Sequence, residues 1–108
     1  MQSFSEVLQT LPSCEGITAL ELRDASGKVQ ALIENKPGSV GSLRVYAYLA
    51  EKWGCIDANA AREGLELYAE HTADARANPG KHPNIDRLLA LLNSDARYTM
   101  ALLGRSSA

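Results

Sequence analysis

Apolar positions change period once along the chain. Between residues 17 and 34 they alternate with polar ones, and from about residue 43 they recur every three to four residues. Ile17–Arg23 reads as a strand with Leu20 and Leu22 on one side and Glu21 and Arg23 on the other. Asp24-Ala25-Ser26-Gly27 has turn chemistry. Lys28–Glu34 reads as a second strand, with Val29, Ala31 and Ile33 at alternate positions. The two make a β-hairpin, which alone is marginal in water and needs a cover over its apolar face.

The helical pattern supplies that cover. A helix is predicted over 43–53, with Leu43, Tyr46, Leu49 and Trp53 in an apolar stripe, Ser42 as cap and Gly54 as stop. Asp57 can cap a second helix running to about 77, where Asn78-Pro79-Gly80 breaks it. Ala60, Ala61, Leu65, Tyr68 and Ala75 trace one face of it, and Glu63, Glu66, Glu70 and Asp74 another. A third, over 85–93, carries Ile85, Leu88, Leu89 and Leu92. The stripes over 43–53 and 85–93 are the strongest, so those helices are expected on the sheet or on each other. A short N-terminal helix, 3–11, shows Phe4, Val7, Leu8 and Leu11 on one face and ends at Pro12. The β-formers Tyr98 and Thr99 make 97–103 a third strand in preference to a helical tail. The fold class is therefore α+β: an antiparallel hairpin extended to about three strands, packed against three helices, with a short helix in front.

Composition changes this picture little. The 108 residues fit one domain spanning 1–108. A chain of this length buries roughly 65% of its unfolded surface, enough for a core without staples. Eleven basic against thirteen acidic residues give a net charge of −2, which offers no electrostatic case for nucleic acid. The start, Met1-Gln2-Ser3-Phe4, has no basic segment before an apolar run, and no stretch approaches the roughly 20 apolar residues of a membrane span. Cys14 and Cys55 read as reduced thiols, so the expectation is a cytoplasmic protein.

Candidate chemistry gathers in two loops. Glu34 to Arg44 passes from strand through Gly38 and Gly41 into a helix start, where unpaired amides and the helix dipole favour an anion. Lys36 and Arg44 add charge there, and Ser39 and Ser42 add hydroxyls. The spacing fits neither a Walker A loop nor the dinucleotide fingerprint, and ordinary turn and cap chemistry also accounts for these residue types. The second loop, Asn78-Pro79-Gly80-Lys81-His82, repeats the Asn, Pro, Gly and Lys of the first before another helix. If the two loops are neighbours, Lys36, Gly38, Ser39, Gly41, Ser42, Arg44, Lys81 and His82 converge on one small anion, a nucleotide or phosphorylated metabolite. If not, His82 is a solvated residue at a helix start.

Other constellations are weaker. The acidic row beside His71 lacks the Glu-x-x-His step of di-iron bundles and the His-Glu-x-x-His of zinc proteases, and reads as a solvated face laced to Arg62 and Arg76. Cys14, Cys55, His71 and His82 lack the close pairing of a structural zinc site. No metal, cofactor or catalytic nucleophile is expected. An enzyme would have to use His82 with a nearby carboxylate such as Asp86. Tyr46 and Trp53 belong to the core stripe, whereas Tyr48 lies off it and suits a partner surface.

The wording of four segments resembles a known family: Glu34-Asn35-Lys36-Pro37-Gly38-Ser39, Gly41-Ser42-Leu43-Arg44-Val45-Tyr46, Ala61-Arg62-Glu63-Gly64-Leu65, and Asn78 to Leu88. It is similar to small uncharacterised bacterial proteins grouped as a domain of unknown function, over nearly the whole chain. The resemblance implies a bacterial protein without an assigned activity, so it carries over no functional residue. Two expectations follow from the residues themselves: a binding or regulatory module holding an anion at the two loops, or an interaction module that pairs as a homodimer through a strand edge or an exposed helix face.

Overall fold

Leu20 and Leu22, the two inward residues of the first predicted strand, are completely buried and mark the centre of the sheet. A computed structural model describes residues 2–104. Its elements are α1 (Phe4–Leu8), β1 (Ile17–Arg23), β2 (Val29–Glu34), α2 (Val40–Trp53), α3 (Ala58–Leu67), α4 (Glu70–Ala77), α5 (Pro83–Leu91) and β3 (Thr99–Gly104). The sheet is antiparallel, in the order β2-β1-β3. Leu20 faces Ile33 on one side and Leu102 on the other, and Leu22 faces Ala31 and Met100. The third strand is thus present, as the β-formers near residue 98 predict.

Only one face of this sheet is covered. α2 lies across all three strands, α3 packs on α2, and α5 packs on α3 and α4. The α5 stripe therefore meets α3 and not chiefly the sheet. Its Ile85, Leu88 and Leu91 join Leu43, Val45, Tyr46 and Leu49 of α2 in one core. Gly64 lets α3 fit between them: a Cβ there would lie 2.7 Å from Leu88 Cδ1 and 2.8 Å from Leu49 Cδ1. Among the described residues no helix is long and apolar enough to cross a membrane.

Four expectations are corrected. α2 starts at Val40, with Ser39 as its N-cap residue, so Ser42 lies inside the first turn and does not cap it. The single helix expected over 57–77 is two. Tyr68 closes α3 in helical geometry, but Ala69 turns to φ 53° and α4 restarts at Glu70. The break forms without Gly or Pro because tertiary contacts hold both sides: the Tyr68 hydroxyl donates to Ser42 Oγ at 2.6 Å, and Glu70 Oε1 accepts the Phe4 amide at 2.8 Å. Finally, Trp53 is 41% exposed, not core. The acidic row is not a plain solvated face either, since Glu63 accepts from Lys52, Trp53 and Tyr48, while Arg62 turns to Asn59. Burial works against ionising Glu63, yet those three donors outweigh it and hold the carboxyl below its ordinary range.

Candidate functional site

Two Pro-Gly turns build the site. In Lys36-Pro37-Gly38-Ser39 the Ser39 amide donates to Lys36 O at 3.0 Å, and in Asn78-Pro79-Gly80-Lys81 the Lys81 amide donates to Asn78 O at 3.1 Å. Both central glycines have φ of 93°. Proline followed by a residue of positive φ is the arrangement of a type II turn, and glycine adopts it without steric cost. The compositional likeness of the two loops is thus a likeness of backbone.

The turns meet in space. A cavity of about 390 Å³ is lined by Gly38, Gly41 and Ser42 from the first loop and helix start, and by Lys81, His82, Pro83 and Asn84 from the second. Phe4, Leu8, Tyr68, His71 and Ile85 complete it. Tyr46 explains the approach. It is fully buried on α2, its hydroxyl donates to Asn84 O, and it accepts from Arg87 Nη1 at 3.1 Å. Burial, opposed in part by the Arg87 charge, pushes the Tyr46 phenol up to about 12, so it stays protonated and keeps donating. Phe4 forms the apolar wall, stacked on Tyr68 at 5.2 Å and edge-on to His71 at 5.1 Å. It approaches α2 so closely that a Cβ on Gly41 would lie 3.1 Å from its Cε2.

The polar wall has its own order. Asp74, near the end of α4, takes three donors: Asn78 Nδ2 at 3.0 Å on Oδ1, and Lys81 Nζ at 3.0 Å and His82 Nε2 at 2.6 Å on Oδ2. The His82 and Lys81 hydrogen bonds pull its carboxyl down to about 2. Asp86, the carboxylate expected beside His82, instead accepts the Gly80 amide at 2.9 Å and braces the turn. At the start of α2 the Val40 amide donates to Lys36 O and the Leu43 amide to Ser39 O. The Gly41 and Ser42 amides between them have no acceptor among the described residues.

Of the sequence candidates, Gly38, Gly41, Ser42, Lys81 and His82 line the cavity. Lys36, Ser39 and Arg44 do not. Lys36 pairs with Glu34 at 3.2 Å on the surface. Ser39 Oγ donates to Glu34 O at 2.6 Å and ties the turn to the end of β2. Arg44 donates to Leu8 O at 2.6 Å, Leu11 O at 2.7 Å and Pro12 O at 3.3 Å, closing the carbonyl end of the α1 segment. Sequence reasoning did not place Phe4, Tyr68, His71 or Asp74 here. The one usable signal was helical spacing, since His71 and Asp74 are three apart and share a face. Among the described residues no three His, Cys, Asp or Glu side chains converge as a metal-binding group.

No curated protein and no solved structure matches the chain. A family model described as an uncharacterised protein conserved in bacteria (DUF2322) matches residues 4–102, the length over which the wording of the loops resembled such proteins, and the chain belongs to that family.

Proposed function

We propose that this is a small cytoplasmic binding module that holds a compact anion, a phosphorylated metabolite or nucleotide, between its two Pro-Gly turns. The observation that carries the reading is the single cavity of about 390 Å³ that Gly38, Gly41 and Ser42 share with Lys81 and His82. That volume lies within the usual range for small-ligand sites, roughly 300–1,000 Å³. The Gly41 and Ser42 amides sit at the positive end of a 14-residue helix and lack acceptors among the described residues. The Lys81 ammonium has three donors and Asp74 engages one of them, so a ligand need not break that pair. Phe4 and Leu8 opposite would cover the less polar part of the ligand.

The test is thermal melting across a panel of inorganic phosphate, sugar phosphates and nucleoside monophosphates. At a hundredfold excess over Kd a ligand raises the melting temperature on the order of 10 °C. Lys81→Ala removes the shift and Lys36→Ala, outside the cavity, keeps it. No shift across the panel sinks the reading.

A second reading has its own observation. The sheet face away from α2 carries Leu32, 53% exposed and opposite Glu21, and Leu103, 38% exposed and opposite Ala19. This suits a second copy of the chain packed sheet to sheet. Light scattering near twice 11.6 kDa that Leu32→Asp returns to 11.6 kDa supports it, and a monomer at micromolar concentration removes it.

A further inference from the structure

We propose that His71 and His82 form an open two-histidine site for a divalent transition metal, with Asp74 as the outer carboxylate that fixes His82. The first ground is the tautomer. His82 Nε2 lies 2.6 Å from Asp74 Oδ2, and an ionised carboxylate only accepts, so Nε2 carries a proton. In the neutral ring Nδ1 then keeps its lone pair. Metal-binding histidines are commonly held by such a carboxylate on the far nitrogen, which sets the tautomer and raises the basicity of the other nitrogen.

The second ground is availability. His82 Nδ1 and both ring nitrogens of His71 have no hydrogen-bond partner among the described residues, and no unpartnered side-chain nitrogen or oxygen is buried there. None of the three nitrogens is sealed from solvent, and both residues line the same cavity.

The third ground is distance. A metal–nitrogen bond of about 2.1 Å and about 1.1 Å from nitrogen to ring centre put the metal about 3.2 Å from each ring centre. Two imidazoles on one tetrahedral metal then have centres about 5.2 Å apart. The observed separation is 5.7 Å, with the planes tilted by 42°. A metal shared by both rings therefore requires their centres to approach by about 0.5 Å. Imidazole pairs suit zinc, nickel and copper, and two protein ligands leave about two positions for water or an anion. The metal site shares the cavity of the anion reading but does not depend on it.

The experiment titrates untagged, chelator-stripped protein with Co²⁺ in phosphate-free buffer, following the ligand-field bands, and repeats it with Zn²⁺ by calorimetry. One equivalent is expected to bind. His71→Ala and His82→Ala each abolish the bands while circular dichroism shows the chain folded, and Asp74→Asn weakens binding roughly 10–100-fold. Lys81→Ala, which removes a neighbouring positive charge, leaves metal binding intact or strengthens it, although it abolishes the anion-induced melting shift. Ring ¹⁵N spectra of the wild-type protein read the same contact without any substitution: Zn²⁺ moves the His71 and His82 resonances together. No Co²⁺ or Zn²⁺ binding, or binding that survives both histidine substitutions, overturns the proposal. Phosphate titration in the presence of chelator keeps the two readings apart, because it reports the anion alone.

Discussion

Gly64→Ala puts the packing that carries the site to a quantitative test. Gly64 is buried on α3, where α2 and α5 both press against it. In an exposed helix Gly→Ala gains about 1 kcal/mol from propensity. Here the new methyl would start 2.7 Å from Leu88 Cδ1 and 2.8 Å from Leu49 Cδ1, against about 3.5–4.0 Å for comfortable carbon contacts. Both leucines are completely buried, so relief requires moving two core methyls by about 1 Å into occupied space. Overpacking of this kind costs typically about 1–3 kcal/mol, which exceeds the propensity gain. The expected net loss is about 1 kcal/mol, read as a melting temperature lower by roughly 4–8 °C. Chemical denaturation should show the same loss with an unchanged slope. A variant more stable than the parent by about 1 kcal/mol would mean that α3 does not sit against Leu49 and Leu88. It would also remove the support that holds α5, and with it Pro83 and Asn84, beside α2.

Three further outcomes test neighbouring parts of the account. Tyr46→Phe removes the hydroxyl between Asn84 O and Arg87 and should cost about 1–3 kcal/mol in urea denaturation, since it leaves a carbonyl without its buried donor; no change would detach the second loop from α2. Asp74 has its carboxyl held at about 2 in the fold against an ordinary 3.8, so its contribution is complete above pH 3.8 and is lost as pH falls towards 2. Melting curves of Asp74→Asn should therefore lie below the parent at pH 6 and converge with it near pH 2, and a gap that widens with acid would contradict the contact. Ala69→Gly should raise stability by about 1 kcal/mol, because relief of a φ of 53° outweighs the added freedom of the unfolded chain; a fall would show that the α3–α4 break is unstrained.

The hairpin and third strand were legible because their information is local. Alternation fixes which face of β1 and β2 is buried, Asp24 to Gly27 mark the turn, and Tyr98 and Thr99 favour extension. The α3–α4 break was not legible, because Glu66-Leu67-Tyr68-Ala69-Glu70 contains no helix breaker. What bends the chain there lies far away in sequence, with Ser42 taking the Tyr68 hydroxyl and the Phe4 amide reaching Glu70. For the same reason the acidic row read as a solvated face, although Glu63, Glu70 and Asp74 each hold a partner from another element or loop. The site was half legible. Pro-Gly punctuation located both turns, and glycine at a positive φ made them alike. Their meeting depends on Tyr46 reaching Asn84 across 38 positions, which no local pattern encodes. Lys36, Ser39 and Arg44 looked equivalent to their neighbours in sequence, and only the direction of each side chain separates them from the cavity.

The central claim is that the two turns present one anion-binding cavity. An amide ¹H–¹⁵N titration of the full chain with inorganic phosphate, in chelator, tests it most directly. The account predicts saturable shifts concentrated at Gly38, Gly41, Ser42, Lys81 and His82, with Lys36 and Arg44 little changed. Shifts scattered over surface lysines, or none at millimolar phosphate, would contradict it.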